Sequence, residues 1–198
     1  MKPNYHHGSL REQLIVEATS MISEFGIDGL SLRKLAERVG VSRTAPYHHF
    51  KDKNDLLCAI AQGGFKQLQQ INRKITIAEP HDLRAHFKQY FQYYVNYATQ
   101  NPALYDLMFG RTIWKNNDST AELRDIAHPT FQHYVEMIET WQNNGLLNHN
   151  ENTLRLSQLT WGMMHGIARL IIDGIYVDSK SVNELADCAV NLFVGQSA

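Results

Sequence analysis

Cysteine and long apolar runs are scarce in this chain of 198 residues. Cys58 and Cys188 lie far apart and neither has a second cysteine three positions away, so we predict no disulfide framework, no zinc site and two reduced, packed thiols. No run approaches the roughly 18 apolar residues that a membrane span needs. Residues 1–20 also lack the apolar core and cleavage site of a secretory signal. We therefore expect a cytoplasmic protein with no membrane partner.

Sequence motifs of catalysis are missing as well. The chain has no H-E-x-x-H, no G-x-S-x-G, no P-loop and no G-x-G-x-x-G after a predicted strand. Two histidine pairs, His81 with His86 and His128 with His133, are spaced by five, which does not align two metal ligands on one helix face. We predict no enzyme activity, no catalytic residue, no metal site and no cofactor.

No charge of one sign dominates, since the formal net charge is -1. The distribution is uneven, however: residues 1–53 hold eight lysines and arginines against six aspartates and glutamates, and the remainder holds 11 against 14. Such asymmetry favours a binding end and a regulatory or assembly end. With 43% hydrophobic and 20% charged residues, the chain is typical of a globular protein, either one large domain or a small domain joined to a larger one.

What the chain does have is helical periodicity along almost its whole length. Ser9, with Glu12 three residues later, predicts a capped first helix that Gly26 ends. Ser31 is placed to cap a short second helix, which Gly40 stops. Two helices joined in this way begin a helix-turn-helix layout.

The stretch VSRTAPYHHFKDK, residues 41–53, predicts the third helix of that layout, from about Arg43 to His49 and capped by Ser42. Pro46 is tolerated there because it falls in the first turn. One stripe of this helix presents side chains that can donate hydrogen bonds to phosphates or base edges, namely Arg43, Thr44, Tyr47 and His48, and Lys51 and Lys53 follow at once. This pattern favours entry into a DNA major groove, with an ordinary solvated helix face as the alternative.

The segment GIDGLSLRKLAERVGVSRTAPYHHFKDKNDLL closely resembles the DNA-binding signature of the tetracycline-repressor (TetR) family of bacterial transcription regulators, over roughly residues 8–60. The resemblance implies that the third helix is the recognition helix, with Arg43, Thr44 and Tyr47 at base edges or nearby phosphates. It implies DNA-backbone contacts for Ser31, Arg33, His48, His49 and Lys53. We include Ser42 and Lys51, which flank the recognition helix, in the predicted DNA-binding set.

A second, shorter match concerns the C-terminal part of the chain. The R-T-A-P-Y variant, the YHHG at residues 5–8, and Trp161, His165 and Gly166 in TWGMMHG resemble the subgroup of this family whose C-terminal domain bears a Trp, His, Gly signature. His165 has three readings: it binds an acidic group of a ligand, it acts as a base, or it satisfies a backbone carbonyl inside the helical bundle.

Aromatic residues are concentrated between residues 87 and 114, which hold nine of the twenty in the chain. Their helical spacing is typical of ordinary core. The alternative is a cavity for a small apolar or aromatic ligand, which the resemblance also implies. The candidate ligand-binding residues are Phe87, Tyr90, Phe91, Tyr94, Tyr105, Met108, Phe109, Tyr134, Met137, Trp141, Trp161, Met164 and His165.

Helices are also predicted at about 121–144, 152–174 and 182–195, which completes an all-helical bundle. The resemblance implies that the last two form a four-helix dimer interface with a second subunit, through the apolar and small residues Leu156, Leu159, Gly162, Met163, Gly166, Ala168, Leu170, Leu185, Ala189, Leu192 and Phe193. A dimer would read both halves of a palindrome.

The predicted fold is therefore all-α, with a helix-turn-helix DNA-binding domain at residues 1–53, a linking helix at about 53–75, and a ligand-binding and dimerisation domain at 76–198. We predict a sequence-specific transcriptional regulator, a repressor that a small apolar or aromatic effector releases from a palindromic operator in double-stranded DNA. The alternative is a small-molecule-binding or enzymatic helical protein in which the N-terminal module is vestigial.

Overall fold

A computed structural model describes residues 7–77, 83–115, 118–176 and 181–194 of the chain. Apart from one antiparallel bridge between Leu147 and Val194, these ranges contain no strand. The predicted all-α fold is confirmed. The helices are α1 (His7–Gly29), α2 (Leu32–Val39), a 3-10 helix (Ala45–His48), α3 (Lys53–Ile77), α4 (Leu83–Gln100), α5 (Pro102–Phe109), α6 (Arg111–Trp114), α7 (Ala121–Asn143), α8 (Thr153–Ile172) and α9 (Val182–Phe193).

The chain forms two compact units, and the boundaries fall inside α3, after the first residue of α5 and inside α7. The first unit holds the described residues up to Phe65 together with Ala103–Ile126. The second holds Lys66–Pro102 and the described residues from Ala127 onwards. The linking helix predicted at about 53–75 corresponds to α3, which continues to Ile77, and residues 78–82 lie outside the described residues.

The start of the first unit follows the predicted signals closely, with one exception. The cap predicted at Ser9 is wrong, because α1 already includes His7 and Gly8. Gly26 interrupts α1 with a φ of 70°, which is the kink expected where a glycine ends a helical run. Ser31 caps α2 by accepting a hydrogen bond from the Lys34 amide at 3.2 Å.

The second helix ends at Gly40, which adopts the left-handed conformation with a φ of 77°. Its amide donates to the carbonyls of Ala36 and Glu37, so two carbonyls at the end of the helix are satisfied. A residue with a side chain would be strained at this φ, which explains why the turn after α2 needs glycine. Both caps predicted for α2 are confirmed.

The third helix predicted at about 43–49 is wrong in type and length. Residues 45–48 form a 3-10 helix, in which the amides of Tyr47 and His49 donate to the carbonyls of Thr44 and Pro46 at 3.1 and 3.0 Å. Pro46 has no amide hydrogen to donate to the carbonyl four residues earlier, and it disfavours the α conformation of the residue before it. The segment therefore tightens into a short 3-10 turn.

Three further contacts hold α3, α5 and α6 together within the first unit. A Cβ on Gly64 would lie 2.4 Å from the Met108 sulfur, so a larger residue there would require the Met108 side chain to shift. The ring of Phe65 packs on the ring of Phe109 with centroids 5.2 Å apart. The indole nitrogen of Trp114 donates to the Met108 carbonyl at 2.7 Å. The first half of α3 therefore has a packed support of its own.

The second unit is built on α4, which packs against α8 and α9. The side of α9 next to α4 is fixed by polar pairs: Lys88 forms an ion pair with Asp187, and the Gln92 amide donates to the Asn183 side chain at 2.7 Å. The observed α7, α8 and α9 lie within two residues of the predicted bounds at each end. In the part of the chain that the structure describes, no helix is long and apolar enough to cross a membrane.

Candidate nucleic-acid interface

The surface proposed from the sequence lies in the N-terminal head, by which we mean α1, α2, the 3-10 helix and the first turns of α3. Pro46 is buried and Phe50 is only 1% exposed, so this side of the 3-10 segment faces the core. The other side is open to solvent and presents Arg43, Thr44, Tyr47 and His48. Tyr47 is 57% exposed, although a large aromatic ring is normally covered.

The residues on either side extend this surface. Ser42 is exposed, and its hydroxyl lies 3.2 Å from that of Thr44. Arg33 on α2 is also exposed. Ser31 is only partly exposed, and its hydroxyl oxygen accepts from an amide of α2, so its local role is to cap that helix.

Three predicted positions at the start of α3 have structural partners of their own. The Lys53 ammonium donates to the Ile27 carbonyl at 2.6 Å, which ties α3 to the end of α1. His49 is half-buried, with its ring centroid 6.5 Å from that of Phe50. Lys51 is exposed, and its backbone amide donates to the Asp55 carboxylate at 2.9 Å. Of these three side chains, Lys51 is therefore the one most open to a phosphate.

An ion-pair cluster fixes α2 against α1. The Arg38 guanidinium donates to Glu17 and to Glu24, with 2.9 Å between Nη1 and the Glu24 Oε2 oxygen. The hydrogen bonds from Arg38, helped by one from Ser20, hold the pKa of Glu24 below its ordinary value, and those to Glu24 and Glu17 raise the pKa of Arg38. The cluster joins α2 to α1, and no pattern in the sequence indicated it.

The sequence analysis also missed Glu37, which lies next to two of the predicted DNA contacts. The same carboxylate oxygen lies 3.8 Å from Arg33 Nε and 3.5 Å from Arg43 Nη2. The spacing of Arg33 and Glu37 by four residues was the available signal, since such pairs are neighbours on a helix.

Behind the head, α3 is tied to the segment that precedes α7. The amide of Asn54 donates to the Asp118 carbonyl at 2.7 Å, and that of Gln62 to the Glu122 carbonyl at 3.1 Å. A polar cavity of about 200 Å³ lies here in the first unit. Cys58 lines it and its thiol donates to the Asp118 carbonyl, while burial raises the pKa of this thiol.

The predicted ligand-binding residues divide between the two units. Tyr105, Met108 and Phe109 belong to the first unit, where they pack near Phe65. The other ten belong to the second unit. Of these ten, the buried ones are Phe87, Tyr90, Phe91, Tyr94, Tyr134, Met137, Trp141 and Met164.

The rings of the second unit pack directly on one another and form an aromatic cluster, comprising Phe87, Tyr90, Tyr94, Phe131, Tyr134, Trp141 and Trp161. Tyr90 stacks on Tyr134 with centroids 5.3 Å apart, and Trp161 meets Tyr134 edge-on at 5.2 Å. These distances are typical of core packing. The phenol of Tyr134 lies 2.7 Å from the Thr160 hydroxyl, and burial raises the pKa of this tyrosine.

His165 lies one turn after Trp161 on α8 and is half-buried. Burial, and then the positive charge of Arg169, hold the pKa of His165 below its ordinary value. A neutral imidazole is therefore favoured at this position. A neutral ring is compatible with a carbonyl partner or a base, and it is a poor partner for an acidic ligand group.

The exposed faces of α8 and α9 bear on the predicted dimer interface. Three of its predicted members are buried inside the subunit, namely Leu156, Ala168 and Ala189. By contrast, Leu159 is 66% exposed and Leu192 is 75% exposed. A Cβ on Gly162 or Gly166 would meet no other atom within 4 Å, so packing inside this chain does not require glycine there.

The prediction of two packed thiols is wrong for Cys188, which is exposed on α9, whereas Cys58 is buried as expected. The helical periodicity of α9 explains the difference. Ala186, Ala189 and Val190 form the buried side of the helix, and Cys188 faces away from them. Among the described residues, no three histidine, cysteine, aspartate or glutamate side chains are grouped so that they could hold a metal ion.

Taken together, a capped second helix, a glycine turn and an exposed polar 3-10 segment define a helix-turn-helix protein with an all-helical second unit. Two family models match this chain: "Bacterial regulatory proteins, tetR family" at residues 14–60, and "Tetracyclin repressor-like, C-terminal domain" at residues 87–193. The second match alone covers more than half of the chain. The chain therefore belongs to the tetR family of bacterial regulatory proteins. The narrower subgroup with a Trp, His, Gly signature stays a prediction.

Curated relatives match a part of the chain. The class A tetracycline repressor protein from transposon 1721 of Escherichia coli is 49% identical over 49 residues, which cover 25% of this chain and 23% of that protein. The transcriptional repressor AcnR of Corynebacterium diphtheriae is 36% identical over 80 residues, 39% of this chain and 42% of that protein. The matches thus span less than half of the length of these relatives.

A solved structure matches almost the whole chain. A protein of unknown function from Rhodococcus sp. RHA1 is 31% identical with a TM-score of 0.84, over 97% of both chains. The fatty acid degradation regulator FadR from Bacillus halodurans has a TM-score of 0.69 over 98% of both chains, at 17% identity. The second likeness concerns the fold alone.

Proposed function

We propose that this protein is a sequence-specific DNA-binding transcriptional repressor. The observation that supports this most directly is the division of residues 43–50, where Arg43, Thr44, Tyr47 and His48 are exposed together while Pro46 and Phe50 are buried. Because the buried pair fixes the backbone, the four polar side chains form a pre-organised surface. The family model that covers this region, and the repressor names of the curated relatives, agree with the proposal.

The chemistry of this surface suits the major groove. Arginine can donate two parallel hydrogen bonds to a guanine edge, and hydroxyl and imidazole groups can contact bases or phosphates. Lys51 and Arg33 flank it and would neutralise phosphates. A direct test is selection from a random DNA pool with the purified protein, at matched salt.

We expect selection to enrich a two-fold symmetric sequence, bound at least about a thousandfold more tightly than random DNA. A palindromic fragment from upstream of the protein's own gene is the first defined candidate. If no sequence is enriched and no fragment binds better than random DNA, the proposal is wrong.

The proposed repressor is a homodimer through α8 and α9. The exposure of Leu159 and Leu192, and two α8 glycines without an internal role, support a face on which a second copy packs closely. Sedimentation should show a dimer, and Leu159→Glu and Leu192→Glu should each yield monomers. Val16→Glu, at a 68% exposed position on α1, is the matched control and should leave the dimer intact.

We further propose that a small apolar or aromatic effector binds among the predicted ligand residues of the second unit and releases the protein from DNA. Such a ligand can act only through a different affinity for the DNA-bound and free conformations. Aromatic packing supports the chemistry of the ligand, since rings that stack on one another can stack on an aromatic guest. A screen of apolar compounds that raise the melting temperature tests this, with loss of operator binding as the second readout.

A further inference from the structure

Glu37 lies beside two arginines of the proposed DNA surface, although its negative charge opposes DNA binding. One of its carboxylate oxygens faces the guanidinium groups of Arg33 on α2 and Arg43 after the glycine turn, at 3.8 and 3.5 Å. The two arginine side chains are each 65% exposed and the glutamate side chain is 56% exposed. The carboxylate therefore sits beside two positive charges that an approaching phosphate would also meet.

Four other acidic residues of the N-terminal head accept hydrogen bonds from groups other than the predicted DNA-binding side chains. Glu17 and Glu24 accept hydrogen bonds from Arg38, which joins α1 to α2. The carboxylates within residues 52–55 accept from backbone amides at the start of α3. Glu37 differs because its ion pairs are with two arginines that are predicted to contact DNA.

We propose that Glu37 is a specificity-determining residue, which weakens binding to non-cognate DNA more than binding to the operator. In free protein it offsets part of the charge of Arg33 and Arg43 and holds Arg43 against α2. This inference rests on the proposed DNA-binding function. It makes an acidic residue responsible for part of the discrimination between the operator and non-cognate DNA.

The physical reason lies in how the two kinds of complex are held. Non-cognate binding derives from phosphate contacts, so its strength follows the net charge of the protein surface. A carboxylate next to the phosphates therefore weakens it directly. In the operator complex, Arg43 hydrogen-bonds a base edge, where donor geometry decides the affinity and the preset position of Arg43 is an advantage.

The test compares wild type with Glu37→Gln, which keeps shape and helix propensity but removes the charge. We expect Glu37→Gln to bind random duplex DNA about threefold to tenfold more tightly at low salt. Its affinity for the palindrome enriched by wild type should change by less than about twofold, so the specificity ratio falls. The slope of log affinity against log salt on random DNA should steepen by about one per head.

Two controls isolate the mechanism. Glu139→Gln, at an exposed position on α7, makes the same change of net charge and should leave the ratio unaltered. Glu37→Gln should have a smaller effect in an Arg43→Gln background, because one of the two positive charges that the carboxylate offsets is then absent. An unchanged melting temperature would accompany both results, since the ion pairs are exposed and contribute little to stability.

The inference is overturned if wild type enriches a palindrome but Glu37→Gln leaves the ratio of operator to random affinity unchanged, or if Glu139→Gln lowers it equally. Failure of the underlying function gives a different result, namely a wild-type protein that enriches no sequence at all. The two failures are therefore distinguishable in one set of measurements.

Discussion

The N-terminal head and the aromatic cluster use their characteristic residues in opposite ways. In the head, the residues that pack and the residues proposed to bind are different: Pro46 and Phe50 are buried, whereas Arg43 and Tyr47 are exposed. In the aromatic cluster the same rings would have to do both, since Tyr90 and Tyr134 are buried and already stack on each other. A binding surface is therefore easier to recognise where packing and binding are divided between side chains.

The largest effect should come from opening the core of the second unit. Phe91→Ala removes a ring that is 0% exposed, and we expect the free energy of unfolding to fall by about 3–5 kcal/mol. Tyr93→Ala, two residues away and 47% exposed, should cost much less. Chemical denaturation of both variants makes the comparison, and equal losses would mean that burial does not distinguish these rings.

A smaller loss should come from removing a helix cap in the head. Ser31→Ala removes the side chain that accepts from the Lys34 amide, and we expect about 1 kcal/mol of destabilisation together with weaker DNA binding. Ser23→Ala is the matched control, because Ser23 lies inside α1 and its hydroxyl donates to the Thr19 carbonyl instead of capping a helix. A loss in the control as large as in Ser31→Ala would contradict the capping role.

The two cysteines extend the comparison to reactivity. Cys188 should react with a thiol reagent in the native protein, whereas Cys58 should react only on unfolding, because burial raises the pKa of its thiol and covers it. Mass spectrometry of the labelled peptides separates the two sites. If α9 is covered in a dimer, labelling of Cys188 should also slow as protein concentration rises. Native labelling of Cys58 at the rate of Cys188 would contradict the burial.

The smallest effect concerns pH. The pKa of His165 lies below its ordinary value of 6.5, so the unfolded chain takes up the proton first as the pH falls through that value. The protonation of His165 therefore costs no stability well above pH 6.5, and it destabilises the folded state increasingly as the pH falls below that value. His165→Gln should lessen the loss of stability between neutral and acid pH. Arg169→Gln should lessen it only in part, since burial is the larger cause, and an unaltered pH profile in His165→Gln would refute the assignment.

Much of the fold could be predicted because local signals and tertiary packing agree. Ser31 and Gly40 bound α2 as expected, and α7 and α8 lie close to the predicted limits. The prediction of an α-helix was wrong at residues 43–49. There the absence of an amide hydrogen on Pro46 outweighed the helical pattern, and the segment forms a 3-10 turn.

The sites were less accessible to sequence reasoning. The exposure of Arg43, Thr44, Tyr47 and His48 followed from helical spacing, but the ammonium of Lys53 turned out to bind the Ile27 carbonyl. A hydrogen bond between segments that are distant in the chain produces no periodic pattern in the sequence. The predicted ligand set was split between two units for a related reason, because periodicity identifies a buried face without saying which helices cover it.

The central claim is that the exposed face of residues 43–48 reads DNA sequence, and the affinity of single variants for the enriched palindrome tests it most directly. Arg43→Ala and Tyr47→Ala should each weaken that binding by about fivefold to a hundredfold, with unchanged melting temperatures, because they remove contacts and no packing. Lys66→Ala, at an exposed position of α3, should bind like wild type. Wild-type affinity in both Arg43→Ala and Tyr47→Ala would contradict the account.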